Sequence, residues 1–370
     1  MSSTPDLSVV ICSLNGAPGV DRCLAALSRQ TLDGRIEAVV VDDGSTDDTA
    51  DVAHRYGARV VRHPTNKGLS AARNSGVLAA SSEIVAFLDD DCEPRPDWAK
   101  CLLAVHGDGV LGVGGPVIPN GGDGPLARYL ERHNPLEPLE IELSTSESLP
   151  YRLLIYLRGL WTDTHNRGRR PVYSLVGANM SYRRDRLIDA GLFDERFKFG
   201  AEELDLCRRL AYMYPEDGYV LEPQAEVVHY FDPSLGDTLR RSRAYGRGSA
   251  RMFRKWPSSR PTIFPFPLVV GALAALGIAR RSPKLIAAAA LAPQAMFPGG
   301  IRHAFNVPGF GSLLDPYVQL AQEAMGDVGF VQGLWMFRDL EPEKHEPSPR
   351  HSEAHEPESQ SVARTLIHAS

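Results

Sequence analysis

The first hundred residues alternate between short apolar runs and stretches with helical spacing. Apolar runs rich in valine predict strands buried on both faces, at residues 8–12, 37–41, 59–62 and 84–88. Helices are predicted at residues 18–30 and 69–80, and Ser45 is predicted to cap another helix with Asp47 and Asp48 in its first turn. Repeated βα units of this length indicate an α/β fold with a parallel sheet and right-handed crossovers.

Polar clusters directly follow three of the predicted strands. They are Ser13-Leu14-Asn15, Asp42-Asp43 and Asp89-Asp90-Asp91. Ligands of parallel sheets bind beyond the carboxyl ends of the strands, so these clusters are expected to line one site. Three consecutive carboxylates repel one another, and Mg²⁺ or Mn²⁺ is a natural partner for such hard oxygen ligands. A metal of this kind usually binds together with substrate phosphates, which predicts a nucleotide diphosphate; the alternative is a solvated acidic turn.

Two further motifs point to the same ligand. In VVVDDGSTDDT, residues 39–49, Asp43 is expected to accept hydrogen bonds from a ribose or a base, whereas Asp47 and Asp48 are interpreted as caps. In NKGLSAARNSG, residues 66–76, Gly68 would let the backbone approach a ligand, and Lys67 and Arg73 would counter phosphate charge. The alternative for the two basic residues is an ordinary surface position.

The regular alternation fades after residue 118. Residues 119–171 are rich in Pro, Gly and charge and are interpreted as an insertion with a helix near 151–161, followed by an ordered stretch over 173–231. The tail from Glu341 is rich in Pro, Glu and Ser and is predicted to be disordered. The GDGVLG match to a dinucleotide motif at 107–112 follows a predicted helix and precedes a predicted strand, so we interpret it as chance.

The net charge conceals a strong segregation. A formal charge of −6 argues against a dedicated nucleic-acid binder. Residues 238–314 nevertheless hold twelve Arg and Lys and no acid, against 28 basic and 46 acidic residues elsewhere. The five cysteines form no CxxC pair, which indicates buried thiols in a reducing compartment, and the N-terminus does not read as a signal peptide. We therefore expect a cytoplasmic catalytic body.

The basic segment predicts a membrane partner. Its arginines at 240, 243, 247, 251 and 254 share one helix face, and residues 263–279 carry no polar side chain. This run is borderline for a span, and the RRSPK after it conflicts with the positive-inside tendency if the segment crossed as a hairpin. We expect interfacial or re-entrant association with an anionic cytoplasmic leaflet. One alternative is that the two apolar runs form a buried helical pair that caps the enzyme. Another is that Arg243 or Arg247 faces the diphosphate.

The order of the motifs resembles that of family 2 glycosyltransferases of the GT-A fold. The resemblance covers roughly residues 6–255 and is carried by SLN, VVVDDGSTDDT, NKGLSAARNSG, FLDDDCEP, VGANMSYRR, FDERFKFGAEELDLCRRL and the histidine of VVHYFDPS. It implies an α/β fold whose nucleotide-sugar-binding parallel or mixed sheet is flanked by helices, with a C-terminal helical, partly apolar extension. The expected parts are a donor half at 1–118, an acceptor half at 119–237, the basic apolar segment at 238–340 and the tail at 341–370.

The resemblance also implies roles for single residues. Donor nucleotide binding falls to Ser13, Asn15, Asp43, Lys67, Gly68, Arg73, Asp89 and Asp90. Metal binding falls to Asp89, Asp91 and His229, with a core histidine as the alternative for His229. Gly177 and Asn179 would line the cleft, and Glu203 would be the general base, with Glu202 before it and Asp205 as the fallback. The Glu-Glu pair departs from the family's Glu-Asp, and Leu14 departs from its frequent base-stacking aromatic residue.

These roles imply a metal-dependent, inverting glycosyltransferase. The donor would be a nucleotide-diphosphate sugar, the cofactor Mn²⁺ or Mg²⁺, and the acceptor a cell-envelope or lipid-linked glycan at the cytoplasmic face of the membrane. Two other classes stay open. One is a sugar-phosphate nucleotidyltransferase, whose Gly-rich, Arg-containing loop is not found at residues 12–16. The other is a non-catalytic, membrane-bound nucleotide-sugar-binding protein.

Overall fold

A computed structural model describes residues 4–343 apart from 121, 123, 135, 137–148, 160–167, 232–233, 260–263 and 298–309. Its strands are β1 (Leu7–Ser13), β2 (Ile36–Asp42), β3 (Arg59–Arg62), β4 (Ile84–Asp89), β5 (Cys92–Pro94), β6 (Val110–Gly114), β7 (Val117–Asn120), β8 (Arg170–Val172), β9 (Asn179–Arg183), β10 (Gly218–Leu221) and β11 (Val227–Tyr230). Its helices are α1 (Ala17–Leu27), α2 (Thr49–Arg55), α3 (Leu69–Ala79), α4 (Trp98–Leu103), α5 (Pro125–Arg132), α6 (Leu149–Gly159), α7 (Arg184–Asp189), α8 (Glu202–Met213), α9 (Leu235–Lys255), α10 (Pro265–Ala279), α11 (Pro283–Met296) and α12 (Asp315–Met336), with a 3₁₀ turn at Phe310–Leu314.

Eight strands form one mixed sheet in the order β3-β2-β1-β4-β9-β6-β10-β8. The four predicted strands are confirmed, and they lie side by side as parallel neighbours. The sheet becomes mixed because β9 runs antiparallel to both β4 and β6, a pairing that no local pattern predicts. The predicted α/β class, with a mixed sheet flanked by helices and a helical C-terminal extension, is confirmed.

The register of the parallel strands brings their polar ends together. Ser13 pairs with Asp42 across β1 and β2, and Cys12 pairs with Asp89 across β1 and β4. All three predicted polar clusters therefore lie at one edge of the sheet.

Both faces of this sheet are covered, which explains the unbroken apolar runs of its strands. Along β1, Val9 and Ile11 belong to the core cluster formed with α1 and α4, whereas Val10 belongs to the cluster formed with α3. Complete burial of each such side chain stabilises the fold by about 1.5–3 kcal/mol. All five cysteines are free thiols. Cys23, Cys92 and Cys207 are buried as predicted, whereas Cys12 and Cys101 are only partly buried.

A small second sheet carries a histidine to the acidic loop. It has the strand order β5-β11-β7, and its antiparallel β11–β5 register pairs His229 with Cys92. Because Asp91 directly precedes Cys92, this pairing places His229 beside the carboxylates of residues 89–91.

The prediction that Ser45 caps a helix is wrong. Helix α2 begins at Thr49, and the Ser45 Oγ instead accepts a hydrogen bond from the Asn15 backbone N–H at 2.9 Å. Asp47 and Asp48 precede the helix rather than lie in its first turn, and Asp47 Oδ1 accepts the Thr49 N–H at 3.1 Å. Ser45 bonds to the loop after β1 because the strand register places the loops after β1 and β2 at the same edge of the sheet.

Two predicted segments extend beyond the described residues. The helix predicted at 151–161 is present as α6, Leu149–Gly159, and residues 160–161 lie outside the described part. Of the tail predicted to be disordered, residues 344–370 also lie outside it. The GDGVLG motif begins in the loop after α4 and runs into β6, which agrees with its interpretation as a chance match.

The predicted arginine face of α9 packs into the protein. Arg243 Nε and Arg247 Nη2 donate to Gln332 Oε1 of α12, at 2.8 and 3.0 Å, and Arg254 Nη2 donates to the Leu334 carbonyl at 3.1 Å. Arg251 is buried between the rings of Phe197 and Phe337. Four of the five arginines therefore pack against the protein, which contradicts the prediction that the whole face meets a membrane, whereas Arg240 is exposed and pairs with Asp237. The alternative that Arg243 or Arg247 faces a diphosphate stays a prediction.

The apolar runs after α9 form a helical hairpin. Gly277 of α10 packs closely against Ile286 of α11, and α11 contacts α12. Within the described ranges, none of the helices is long and apolar enough to cross a membrane.

Candidate active site

The acidic loop at residues 89–91 is fixed to the loop that follows β1. The Ser13 hydroxyl donates a hydrogen bond to the Asp90 carboxylate, and a Cβ atom on Gly16 would overlap that same carboxylate. Burial raises the pKa of Asp90 to about 6. Asp90 thus holds in place the loop that presents Asp89 and Asp91.

Asp91 and His229 face each other in a position suited to a cation. Asp91 Oδ1 lies 3.2 Å from His229 Nε2, yet this buried oxygen accepts no hydrogen bond within the described part of the chain. Burial, reinforced by the charge of Asp89, raises the pKa of Asp91 to about 7, and burial lowers the pKa of His229. A carboxylate and a neutral imidazole are a ligand pair that Mn²⁺ accepts, so the residues present fit the predicted metal.

Cys92 lies beside this pair but is not assigned as a metal ligand. Its Sγ atom is within 4.8 Å of the Asp91 and His229 ligand atoms. Burial raises the pKa of the Cys92 thiol well above its usual value. Cys92 is completely buried within the core cluster formed with α1 and α4, and Mg²⁺ and Mn²⁺ prefer oxygen ligands to sulfur, so we assign Cys92 to the core.

The Asp43 carboxylate organises the loop at residues 63–68. Its Oδ1 atom contacts His63 Nδ1 at 2.6 Å and accepts the Lys67 backbone N–H at 2.9 Å, while Oδ2 accepts the Gly68 N–H at 2.8 Å. Gly68 has φ +96°, a conformation that favours glycine, and it immediately precedes α3. The structure thus brings Asp43, Lys67 and Gly68 together as the sequence predicts, with the Lys67 side chain exposed.

Asn15 ties the β1 loop to the loop after β2. It has φ +55°, and its side-chain oxygen accepts the Thr46 backbone N–H at 2.8 Å. Leu14, where the family often has an aromatic residue, is 44% exposed next to it. The predicted donor-binding residues of this loop therefore lie at the polar edge, with the Asn15 oxygen already engaged within the protein.

Arg73 is a buried cation at the centre of the candidate site. Nη1 lies 2.6 Å from Glu202 Oε1, and Nη2 lies 3.5 Å from Asp89 Oδ1 and donates to the Gly177 carbonyl at 3.1 Å. A Cβ atom on Gly177 would come within 2.7 Å of Arg73 Nη2, so glycine there makes room for the guanidinium. Arg73 thereby joins the acidic loop to the start of α8.

Glu202 and Glu203 open helix α8 after a tight turn. Gly200 and Ala201 before them have φ +91° and +69°, both in the left-handed region. Burial, reinforced by the charge of Glu202, raises the pKa of Glu203 to about 8. A carboxyl group of this kind can exchange a proton near neutral pH, as a general base must.

Asp205, the fallback base, is fully engaged elsewhere. Oδ1 accepts the Trp256 indole N–H at 2.8 Å and lies 2.7 Å from Lys255 Nζ, while Oδ2 accepts Arg209 Nε at 2.9 Å. Asp205 is completely buried. These contacts hold α8 to the end of α9.

Asn179 is likewise a structural cross-link rather than part of a cleft wall. Its Oδ1 accepts the Trp98 indole N–H at 2.9 Å, and its Nδ2 donates to the Ala225 carbonyl at 2.8 Å. The side chain is completely buried. The prediction that Asn179 lines the cleft is therefore wrong, because its amide is used to join β9 to its neighbours.

Three further residues of the site belong to none of the sequence motifs. His63 bridges Asp43 and Ser75, with its Nε2 atom 2.9 Å from the Ser75 Oγ. Arg241 and Tyr245 lie one helical turn apart on α9 and line a cleft next to His229. Arg241 and Tyr245 are four positions apart, a spacing that places two residues on the same face of a helix. The more regular arginine spacing in the same segment indicates a different face of α9.

That cleft lies between β11, α5, α9 and α12. It encloses about 460 Å³ of space, its open mouth included, and has both apolar and polar walls. Its apolar walls come from Leu130, Leu136 and Phe231, and its polar walls include Arg241 and Gln322. Since His229 belongs to both, the cleft opens directly onto the Asp91–His229 pair.

The fold of the chain is shared with a solved glycosyltransferase. A mannosyltransferase from Pyrobaculum calidifontis, determined with GDP-Man and Mn²⁺, superimposes with a TM-score of 0.54 at 19% identity, covering 90% of this chain and 88% of that one. This likeness shows the GT-A fold.

Sequence comparisons identify the family. The model of glycosyl transferase family 2 matches residues 8–189. The pre-mycofactocin glycosyltransferase of Mycobacterium tuberculosis is 32% identical over 279 residues, which are 73% of this chain and 52% of that protein. Glycosyltransferase AglE of Haloferax volcanii is 37% identical over 131 residues, 33% of this chain and 43% of that protein. The chain spans about half the length of these curated relatives or less, and it belongs to glycosyl transferase family 2.

Proposed function

We propose that the chain is a metal-dependent, inverting glycosyltransferase that moves a sugar from a nucleotide-diphosphate sugar to an acceptor hydroxyl. The observation that carries the proposal is the position of Arg73, which contacts Asp89 of the acidic loop and Glu202 of α8. One buried cation joins the carboxylates expected to meet the donor to those expected to meet the acceptor.

The donor nucleotide would lie over the polar ends of β1 and β2. Ser13, Asn15 and Asp43 order the loops there through hydrogen bonds within the protein. We infer that they shape the nucleotide pocket, and that the exposed Lys67 ammonium supplies charge toward the diphosphate. The GDP-Man complex of the Pyrobaculum mannosyltransferase supports a nucleotide sugar as the donor class.

Asp91 and His229 would hold the cation, with Asp89 next to them. A bound Mn²⁺ or Mg²⁺ would offset the charge that develops on the departing nucleotide diphosphate. Arg241, which lines the adjoining cleft, and Arg73 add fixed positive charge around the same place. The buried Asp91 Oδ1 atom, which accepts no hydrogen bond within the described part of the chain, is the observation that most directly supports such an ion.

Glu203 would take the proton of the acceptor hydroxyl. A hydroxyl is a poor nucleophile near neutral pH, so a carboxylate must accept its proton during attack. Of the three candidate acids, Glu202 is paired with Arg73 and Asp205 with Lys255 and Arg209, which leaves Glu203 for chemistry. A single base with no enzymic nucleophile implies one displacement, with inversion at the anomeric carbon.

We infer that the acceptor approaches through the cleft beside His229, between the acceptor half at 119–237 and the segment at 238–340. Residues 119–237 would supply the base and much of the acceptor side. An envelope or lipid-linked glycan at an anionic cytoplasmic membrane surface fits the acid-free stretch at 238–314.

The test is a panel of UDP-, GDP- and dTDP-sugars added to the purified full chain with and without Mn²⁺. One donor should raise the unfolding temperature only with metal, since a ligand of the native state stabilises it, and should be turned over slowly to nucleoside diphosphate. Asp91→Asn and His229→Ala should lose the metal-dependent rise. Glu203→Gln should keep that rise and lose turnover.

Asp108→Asn and Glu216→Gln change exposed acids and serve as matched controls that should behave as wild type. The metal assignment is overturned by a donor-dependent rise that persists in excess EDTA. The glycosyltransferase assignment is overturned if no sugar nucleotide in the panel binds or is turned over.

A further inference from the structure

The hairpin of α10 and α11 presents an apolar surface away from the protein. Leu268 and Ile278 of α10 are 68% and 69% exposed, and Leu291 of α11 is 65% exposed. Helix α10 contains no polar side chain at all. An exposed apolar surface of this kind marks an interaction site.

The inner face of the hairpin is already used to hold it to the body. Ala289 and Pro293 of α11 are buried, Gln294 Nε2 donates to the Leu313 carbonyl at 2.6 Å, and the Tyr317 hydroxyl donates to the Ala290 carbonyl at 3.0 Å. The hairpin turn is also closed, because the Ser282 N–H donates to the Gly277 carbonyl at 2.8 Å. The outer face is therefore a preformed surface on a fixed support.

The turn of the hairpin concentrates positive charge. Arg280, Arg281 and Lys284 are all exposed there, and residues 264–297 contain no Asp or Glu. Arg281 has φ +45°, in the region that favours glycine, yet the position holds a basic residue. Apolar area bordered by cations is complementary to an anionic lipid surface.

The length of the helices and the place of the charges decide the orientation. Fifteen residues of α10 extend about 22 Å, whereas the hydrocarbon core of a bilayer is about 30 Å thick. A hairpin inserted upright would carry three cations beyond the bilayer midplane, which is costly. Lying flat, it would bury its apolar face and leave the three cations among lipid phosphates.

We propose that the outer face of the α10–α11 hairpin lies flat in the interface of an anionic bilayer, with Arg280, Arg281 and Lys284 on lipid phosphates. This inference specifies where the protein would contact the membrane of the proposed function, and it rests on that proposed function. It moves the contact away from the α9 arginines, which α12 covers. The active site would then open beside a membrane that holds the acceptor.

The experiment is co-sedimentation of the full chain with vesicles of phosphatidylcholine alone and of phosphatidylcholine mixed with phosphatidylglycerol. Wild type should bind the anionic vesicles. The triple variant R280Q/R281Q/K284Q should bind about 100-fold more weakly, because each basic residue near such a surface contributes about a factor of five. L268S/I278S/L291S should also lose binding, whereas Arg240→Gln, which removes an exposed cation of α9, should not.

A depth measurement tests the flat orientation. A quenchable fluorophore on Leu268→Cys or Ile278→Cys, in a Cys101→Ser background, should report the same shallow depth at both ends of α10. A deeper Ile278 position would overturn the flat orientation. Equal binding of wild type to neutral and anionic vesicles would overturn the role of the cations.

A second copy of the chain is the competing occupant of this face. Light scattering would then show a dimer that L268S/I278S/L291S disrupts, with no vesicle binding by wild type, and the membrane proposal would fail. Circular dichroism and unfolding temperature establish that the variants fold. Vesicle binding needs no donor, so its failure is distinguishable from a failure of sugar-nucleotide turnover.

Discussion

The Arg73 Nη1 atom lies 2.6 Å from Glu202 Oε1, and both side chains are buried. Burial alone would lower the pKa of Arg73, but the charges of Glu202 and Asp89 raise it above its usual value. The two partners are 129 positions apart, on α3 and α8, on the two sides of the proposed reaction. This buried ion pair therefore links the acidic loop to the start of the helix that carries Glu203.

Replacing Arg73 by Met should destabilise the protein by about 3–5 kcal/mol, because Glu202 would remain as an uncompensated buried carboxylate. Urea unfolding measures the loss. Arg183→Met is the matched control: Arg183 pairs with Glu83 and Asp185 near the surface, and its loss should change stability by less than about 1 kcal/mol. Equal effects of the two substitutions would show that Arg73 does not hold the halves together.

Much of the donor edge could be predicted from the sequence because the information there is local. Each buried strand that precedes a polar cluster is marked by an apolar run in the sequence. Parallel neighbouring strands end at the same edge of the sheet, so their polar clusters meet there. Asp43, Asp89 and Asp91 were therefore expected to converge, and the register of β1 with β2 and β4 places them there. The glycines of the same loops could be interpreted as well, because the chain reverses direction there in turns that favour glycine.

The contacts of single side chains were less predictable, since their partners are distant in sequence. The sequence predicts that Asn179 lines the cleft, but its side-chain amide forms hydrogen bonds with Trp98 and Ala225, which are distant in sequence. The arginines of α9 looked like a membrane face because their cover, α12, comes 89 positions later at the Arg243–Gln332 contact. An exposed stripe and a buried stripe have the same spacing, and only the tertiary partner distinguishes them.

Transfer should depend on pH through Glu203. Burial and the Glu202 charge raise the pKa of Glu203 to about 8, so below that pH the carboxyl is protonated and cannot serve as a base. The rate of transfer should rise with pH and level off above about 8. Glu202→Gln removes the like charge, so the midpoint of the rise should move to lower pH.

The measurement is the initial rate against pH at saturating donor for wild type and Glu202→Gln, with Glu216→Gln as an exposed control that should keep the wild-type midpoint. A Glu202→Gln midpoint that is unchanged or higher would contradict the assignment of Glu203.

Asp205→Asn should weaken the fold while leaving chemistry largely intact. The substitution removes the charge that balances Lys255 and Arg209, and breaking a buried pair of this kind costs about 3 kcal/mol. Thermal unfolding should show the loss, and transfer measured well below the lowered unfolding temperature should stay within about threefold of wild type. A variant that unfolds like wild type but is inactive would identify Asp205 as the base in place of Glu203.

The packing of α9 against α12 depends on glycine. A Cβ atom on Gly329 would overlap the Arg243 carbonyl, so Gly329→Ala should push the helices apart and destabilise the protein by about 1–3 kcal/mol. Gly271 lies within α10 with nothing inside 4 Å of a Cβ atom, and Gly271→Ala should stabilise by up to about 1 kcal/mol through helix propensity alone. Chemical denaturation of both variants compares the same substitution with and without a packed neighbour. If Gly329→Ala also stabilises, α12 does not lie on α9 at the distance described, and the arginines of α9 are free to meet another partner.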